Sequence, residues 1–152
     1  MMAILPPDPA VAQFIKPTLD TPFHVDYAWW DKHGLDINVK LVSHLCHEHR
    51  EAYAGQPVGD KIDWIDWATG AVTRVDGLQY VITTHCSRQP GYLLQAPTLL
   101  EAVFRAFLSN ANQPLTPRKL ASMVGHRPEQ VLRVLSGRTV RLGLRPMIRA
   151  RL

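Results

Sequence analysis

The chain has 152 residues, enough for one domain or for two small modules that share a core. Its composition, 46% hydrophobic and 20% charged, is ordinary for a globular protein and contains no low-complexity tract. No run approaches the roughly 18 consecutive apolar residues of a membrane-crossing helix, so no membrane partner is predicted. Two cysteines are too few for a disulfide framework.

The start of the chain lacks the basic and continuous apolar regions of a secretory signal, so we expect a cytoplasmic protein. In a reducing compartment the cysteines would be free thiols, metal ligands or redox-active groups. Charge is unevenly distributed: residues 1–98 carry 7 Lys and Arg against 11 Asp and Glu, whereas residues 99–152 carry 10 against 2. This asymmetry predicts two modules with different partners, the basic one facing a polyanion.

The first predicted elements are an arm and a hairpin. Residues 1–22 contain five prolines and predict an extended arm. The segments FHVDYAWW and LDINVKLVSHL alternate apolar with polar residues on either side of the turn residues DKHG. A period of two is typical of strands, so the pair predicts a β-hairpin. CHEHREAYAG then predicts a short helix that ends at Gly55.

A second hairpin is predicted for IDWIDWATGAVTRV, with its turn at Ala68-Thr69-Gly70. DGLQYVITTHC is ambiguous, because Asp76 is a candidate helix cap whereas the Val, Ile and Thr residues favour a strand. Four tryptophans stand among acidic residues. They are expected to be partly core or, alternatively, to bind another protein together with the proline arm. These residues are Trp29, Trp30, Trp64 and Trp67.

The segment SHLCHEH holds three histidines and a cysteine within six residues. Cys46 and His49 have the C-x-x-H spacing with which one tight turn presents two ligands to one ion. The second cysteine, Cys86, directly follows His85 beyond the predicted hairpin. Small zinc modules are assembled from two such ligand-bearing turns, so Cys46, His49 and Cys86 predict a four-coordinate zinc site.

The fourth ligand stays open between two histidines. His85 and Cys86 share one ion only on a bent backbone, because adjacent side chains point in different directions, and His44 alternates with Cys46 along a strand. Three alternatives to zinc are buried apolar cysteines with surface histidines, an iron–sulfur centre, and a thiol switch in which the two cysteines form a disulfide. A catalytic metal is not predicted, because HEH is not the H-E-x-x-H motif.

The last third of the chain predicts three helices and a ribbon. TLLEAVFRAFLSN places its apolar residues on one helical face behind the candidate cap Thr98. LTPRKLASMVG begins with Thr116 as N-cap and proline at the first helical position, and stops at Gly125. RPEQVLRVLSG also begins at a proline, and ends at Gly137. RTVRLGLRP alternates apolar with basic residues, which predicts a strand or short ribbon.

The segment PLTPRKLASMVGHRPEQVLRVLSGR resembles the helix-turn-helix superfamily, and the element order resembles its winged members. The superfamily pattern is a small residue, a glycine four positions later and an aliphatic residue six beyond that. Here these positions are Ala121, Gly125 and Val131, with Leu120 and Val134 at core positions. The resemblance is close in this segment and loose over the rest of the C-terminal third, and it identifies a superfold.

The resemblance implies that the helix from Pro128 to Ser136 enters the major groove of DNA. Gln130 and Arg133 would lie off its buried face, with Arg127 at its start. The phosphate contacts it implies come from Arg118, Lys119, Arg138, Arg141 and Arg145. About six such contacts would make binding fall steeply with salt. Winged helices also serve as protein-docking modules, which is the alternative.

We therefore predict an α+β protein in three parts. These are a proline-rich arm over residues 1–22, a mixed module of β-hairpins and short helices with a Cys/His metal site over 23–97, and a winged helix-turn-helix over 98–152. The predicted function is a small zinc-binding, DNA-binding transcription regulator or accessory factor without enzyme activity. The alternative is a non-catalytic subunit of a larger assembly that uses the winged helix for docking.

Overall fold

The structure, a computed structural model, describes residues 2–5, 16–52, 61–65, 70 and 72–151. Short strands occur in pairs before, between and after groups of helices. In chain order they are β1 (Met2–Leu5), β2 (Phe23–Val25), α1 (Tyr27–Lys32), α2 (Ile37–Ser43), α3 (His47–Ala52), β3 (Lys61–Ile65), β4 (Val72–Asp76), α4 (Gly77–Thr84), a 3-10 helix (Cys86–Arg88), α5 (Leu99–Ser109), α6 (Pro117–Val124), α7 (Pro128–Leu135), β5 (Leu144–Pro146) and β6 (Ile148–Arg151).

The strands form three two-stranded antiparallel pairs. β1 pairs with β6, β2 with β5, and β3 with β4. Together with the helices, these pairs confirm the predicted α+β class. Within the described ranges, no helix is long and apolar enough to cross a membrane.

The hairpin predicted from FHVDYAWW and LDINVKLVSHL is wrong, because the chain turns helical after Val25. Aspartates cap both helices: Asp26 accepts a hydrogen bond from the Ala28 N–H at 3.0 Å, and Asp36 accepts one from the Asn38 N–H at 2.9 Å. Such caps satisfy backbone donors that a helix leaves unpaired at its start. Capping therefore outweighed the strand-like alternation in α1 and α2.

Burial in this region follows helical rather than strand spacing. Leu41 is 1% exposed, whereas Val39, which would share its face in a strand, is 69% exposed. Trp30 is buried and Trp29 packs against the core, as the core interpretation of this pair predicts.

The second hairpin and the short helix predicted in the N-terminal part are both present. β3 and β4 pair along the register Lys61–Asp76 to Ile65–Val72, as the second hairpin requires, although most of its turn lies outside the described residues. The side chain of Trp64 and all of Trp67 also lie outside them. The predicted short helix is α3, and its expected end at Gly55 lies outside too. The ambiguous segment after β4 is helical.

The three helices predicted in the C-terminal third are present with their expected starts. Thr98 accepts a hydrogen bond from the Glu101 N–H at 3.1 Å, and Thr116 accepts one from the Lys119 N–H at 3.2 Å. α6 ends at Gly125, whose φ of 73° lies in the left-handed region that favours glycine. α5, α6 and α7 contact one another pairwise.

The ribbon predicted from RTVRLGLRP is only partly a strand. Leu142 and Gly143 have positive φ angles of 55° and 72°, and the Leu144 N–H donates to the Arg141 carbonyl at 3.0 Å. Positive φ at both central residues is the requirement of a tight type I′ turn. The strand therefore starts only at Leu144.

The partner of β5 is β2, which comes from the far end of the sequence. Phe23 also forms an isolated bridge with Leu115, and the Asn112 side chain binds the backbone of Val25 through both its amide atoms, at 2.8 and 2.9 Å. β2 is thus held between β5 and the segment after α5, both of which are distant from it in sequence.

The buried core draws on both predicted modules. Its fully buried side chains include Phe23, Leu41, Leu78, Ile82, Val103, Phe104, Phe107, Leu120 and Val131. The division at residue 98 remains a prediction, and apolar packing crosses it.

Candidate metal centre

Two short turns carry the four residues of the cluster. Cys46 directly precedes α3 and His49 lies in its first turn, where the Arg50 N–H donates to the Cys46 carbonyl at 2.8 Å. His85 follows α4, and Cys86 begins the 3-10 helix. The C-x-x-H spacing therefore places two ligands on one helical turn, as the sequence predicted.

The ligand atoms of Cys46, His49, His85 and Cys86 all lie within 4.8 Å of one another. Cys46 Sγ is 3.2 Å from His49 Nδ1, 3.7 Å from His85 Nδ1 and 3.4 Å from Cys86 Sγ. Cys86 Sγ is 3.7 Å from His49 Nδ1. Both imidazoles thus direct Nδ1 toward the sulfurs.

These separations fit a single tetrahedral ion. Zinc bonds of about 2.3 Å to sulfur and about 2.0–2.1 Å to nitrogen place neighbouring ligand atoms about 3.3–3.8 Å apart. The four distances above, from 3.2 to 3.7 Å, lie in or beside that range. Two sulfurs and two imidazole nitrogens are also a donor set that zinc prefers. The predicted Cys/His cluster is therefore able to hold a metal ion such as zinc.

The bend needed between the adjacent residues His85 and Cys86 is present. His85 has φ −127° and ψ −63°, which ends α4 and turns the chain into the 3-10 helix. This backbone conformation lets two neighbouring side chains converge, so His85 and not His44 completes the cluster.

The two thiols differ in burial. Cys46 is partly buried, whereas Cys86 is 0% exposed and belongs to the hydrophobic core. Burial raises the pKa of the Cys86 thiol to about 11. A metal ion at the cluster would instead favour the thiolate form of Cys86, because metals bind thiolates and release their protons.

His44, the other candidate ligand, has a different role. It is 1% exposed, and its Nδ1 accepts a hydrogen bond from Arg105 Nε at 2.9 Å, while Tyr92 Oη donates to its carbonyl at 2.7 Å. Burial, and then the nearby Arg105 and Lys40, lower its pKa to about 4. His44 is therefore a neutral core histidine. His47 lies on the exposed side of α3, 3.2 Å from Glu51.

Arg105 connects this histidine to the C-terminal helices, and the sequence interpretation missed it. Its guanidinium lies 4.7 Å from the centre of the Tyr92 ring, and its Nη1 donates to the Tyr92 carbonyl at 2.8 Å. Four residues earlier on α5, Glu101 binds Lys40 of α2 at 2.5 Å. Glu101 and Arg105 are the only charged residues of the apolar helix α5. Two charges on an otherwise apolar helix are the sequence feature that could have identified them as partners of buried polar groups.

The predicted nucleic-acid residues divide into two groups. Arg145 pairs with Asp26 at 3.0 Å with both side chains 17% exposed, and Arg118 pairs with Asp20 at 2.9 Å on the surface. Arg141 donates to the Val134 carbonyl. The second group is exposed and has no ion-pair partner among the described residues; it consists of Lys119, Arg127, Arg133 and Arg138. Gln130 is also exposed and accepts from the Arg127 N–H at 3.4 Å.

Comparison of the chain with protein-family models, with curated proteins and with solved structures finds no match.

Proposed function

We propose that this chain is a small zinc-binding, nucleic-acid-binding protein, a transcription regulator or accessory factor in which α5, α6 and α7 act as a winged helix-turn-helix. The observation that carries the proposal is the outward face of α7 and its flanks. There, Arg127, Arg133 and Arg138 are exposed and have no ion-pair partner among the described residues, while the opposite face is buried.

The geometry of α6 and α7 supports a helix-turn-helix assignment. A three-residue turn over 125–127 joins them, and a short turn containing glycine is typical of that motif. Ala121 is 3% exposed and Val131 is 0% exposed, so a small residue lies where the helices cross and an aliphatic one holds α7 in the core. α5 packs on both helices.

The charges available to DNA are fewer than the sequence suggested. Arg145 is engaged by Asp26 within the fold, and Arg141 is bonded to backbone. The Arg118–Asp20 pair is exposed, with side chains 57% and 72% accessible, and such pairs contribute little to stability, so Arg118 can exchange its carboxylate for a phosphate. Among the predicted nucleic-acid residues, four cations remain exposed and without an ion-pair partner in the described part of the chain: Lys119 on α6, and Arg127, Arg133 and Arg138 on α7 and at its ends. Four phosphate contacts are consistent with salt-sensitive binding to a duplex.

In this proposal the metal is zinc, with a structural role. All four ligand positions are supplied by the chain, which is typical of structural rather than catalytic zinc sites. In a two-iron cluster with two Cys and two His, the cysteines bind one iron and the histidines bind the other. A cysteine and a histidine would then lie well apart, whereas Cys46 Sγ and His49 Nδ1 are only 3.2 Å apart. One shared ion therefore fits better than an iron–sulfur centre.

Two measurements test the proposal. The first is elemental analysis of untagged protein that has never met a chelator: we expect about one zinc per chain in wild type and a marked loss in Cys46→Ser. The second is fluorescence anisotropy with a random-sequence DNA duplex at low salt. The Arg127→Ala/Arg133→Ala/Arg138→Ala variant should bind at least about tenfold more weakly than wild type, because each charge accounts for one released counterion.

A matched control separates this surface from net charge alone. Lys16→Ala/Lys32→Ala/Arg88→Ala removes the same three charges at exposed positions in the N-terminal part. This control should keep the affinity of wild type. Equal binding by both triple variants, with both folded by circular dichroism, would contradict a specific nucleic-acid surface on α7.

One observation favours the second candidate, a docking subunit. Leu94 is 72% exposed, and its Cδ2 lies 3.7 Å from the place a Cβ would occupy on Gly125, at the α6–α7 turn. A protein partner that covered this side chain would gain from removing its apolar surface from water. If wild type binds neither duplex DNA nor heparin, the docking function becomes the better account.

A further inference from the structure

The two thiols of the cluster are placed for a reaction as well as for metal binding. Cys46 Sγ and Cys86 Sγ are 3.4 Å apart, and the turns that carry them belong to segments 40 residues apart in sequence. A disulfide bond is about 2.05 Å long, so a small side-chain displacement of about 1.4 Å would join the sulfurs. We propose that a hydroperoxide converts Cys46 and Cys86 into a reversible disulfide, and that this expels the metal; the proposal rests on the zinc site proposed above.

Burial assigns the two cysteines different roles. Cys46 is partly buried and within reach of a small oxidant, whereas Cys86 is 0% exposed. Oxidation of cysteine depends on both thiolate character and access. Cys46 is therefore the sulfur that the peroxide meets, and Cys86 is the resolving sulfur that lies beside it.

The chemistry balances with hydrogen peroxide as the only oxidant. The Cys46 thiolate attacks one peroxide oxygen, the O–O bond breaks, and the leaving hydroxide takes a proton to become water. Cys46 is then a sulfenic acid. The Cys86 thiolate attacks that sulfur, the S–O bond breaks, and a second hydroxide leaves and is protonated. Each sulfur has lost one electron, the two peroxide oxygens have gained them, and two waters are formed.

Loss of the metal follows from the change in its donors. Thiolates bind zinc, and a disulfide has no thiolate left. Only the imidazoles of His49 and His85 would remain, half of the original donor set. Oxidation therefore exchanges one cross-link between the two turns, the ion, for another, the disulfide.

The test uses the full chain, reduced and loaded with zinc under anaerobic conditions. Hydrogen peroxide is added, zinc release is followed with a chromogenic chelator, and intact mass is measured after remaining thiols are blocked. We expect a mass loss of two hydrogen atoms per chain, with zinc released at the same rate. A dithiol reductant in the presence of zinc should restore both the mass and the metal content.

Two variants probe the roles separately. Cys86→Ala should stop with one added oxygen on Cys46, because no resolving sulfur is present. Cys46→Ser, which changes the more exposed position, should leave Cys86 unoxidised on the time scale of wild type. That second variant keeps the test decisive if loss of the buried thiol prevents folding.

Several results would overturn the switch. These are oxygen addition without loss of hydrogen, disulfides only between chains, or unreacted thiols under conditions that oxidise free cysteine. Oxidation of Cys86 at the wild-type rate in Cys46→Ser would equally overturn it. Zinc-loaded protein that forms no disulfide refutes the switch alone. Protein that forms the disulfide but never held zinc refutes the metal release together with the proposed zinc site.

Discussion

Gly143 is the position where one added methyl group has the most clearly defined cost. It has a φ of 72°, and a Cβ there would lie 2.7 Å from Trp30 Nε1 and 3.0 Å from the Asp26 carbonyl oxygen. Neither neighbour is free to move. Trp30 is 5% exposed and its Nε1 donates to the Leu142 carbonyl at 3.2 Å, while the Asp26 N–H donates to the Gly143 carbonyl at 2.7 Å.

We expect Gly143→Ala to lower the free energy of unfolding by about 2–5 kcal/mol. The left-handed backbone costs a residue with a Cβ about 1–2 kcal/mol. Displacing the indole or the backbone costs about 1–3 kcal/mol more, as for other overpacked sites. The sum is a large fraction of the stability of a small protein, typically about 5–15 kcal/mol.

Gly34→Ala is the matched control. Its φ of 64° is similar, but a Cβ at Gly34 would meet no atom within 4 Å, so only the backbone cost of about 1–2 kcal/mol applies. Urea unfolding of the full chain, followed by tryptophan fluorescence, measures both variants. Equal losses would show that the indole does not pack against this turn, which would refute the packing of Trp30 against Leu142 and Gly143.

Three further predictions concern salt, metal and pH. With four phosphate contacts, a plot of the logarithm of the DNA-binding constant against the logarithm of salt concentration should have a slope of about −3.6. Arg127→Ala/Arg133→Ala should reduce the steepness of this slope by about 1.8. An unchanged slope would place the phosphate contacts at other residues. A strong chelator should lower the melting temperature of wild type, because zinc at 100 times its Kd stabilises the folded state by about 2.7 kcal/mol. The chelator should have no such effect on Cys46→Ser. Equal melting of wild type with and without chelator would argue against the zinc site. Burial lowers the pKa of His24, an effect that Arg145 reinforces and Asp26 opposes. The unfolded chain therefore takes up that proton first as the pH falls through about 6.5, and wild type loses stability there. His24→Gln should lose less over the same window in urea titrations at pH 8 and pH 5, while the loss due to the buried His44, whose pKa is also lowered, remains. An identical loss in the two proteins would show that His24 does not contribute.

The metal cluster was partly predictable from the sequence. Cys46 and His49 lie on one helical turn, so their spacing alone predicts that they meet. The addition of Cys86 required only the assumption that two ligand-bearing turns converge. The choice between His44 and His85 was not predictable, because it depends on the bend at His85 and on the Arg105 side chain that holds His44.

The basic surface was predictable as a composition but not as a set of available charges. Ten Lys and Arg against two acids in residues 99–152 indicate a cationic segment, whichever way it folds. The acids that engage Arg118 and Arg145 are Asp20 and Asp26, which lie about a hundred positions earlier in the chain. Counting charges by segment therefore overstated what is free to meet a polyanion.

The sequence by itself determined the elements whose signals are local. Helices α5, α6 and α7 begin at threonine or proline and α6 ends at a glycine with positive φ, and these starts and stops act within one turn of the chain. Tertiary structure decided what local signals leave open. The short alternating segments after β2 suit either period until tertiary packing selects the helix, as the exposure of Val39 beside the buried Leu41 shows. β5 finds its partner in β2, about 120 residues earlier in the chain. Strand pairing and side-chain burial depend on residues distant in sequence, and for that reason only the folded chain determines them.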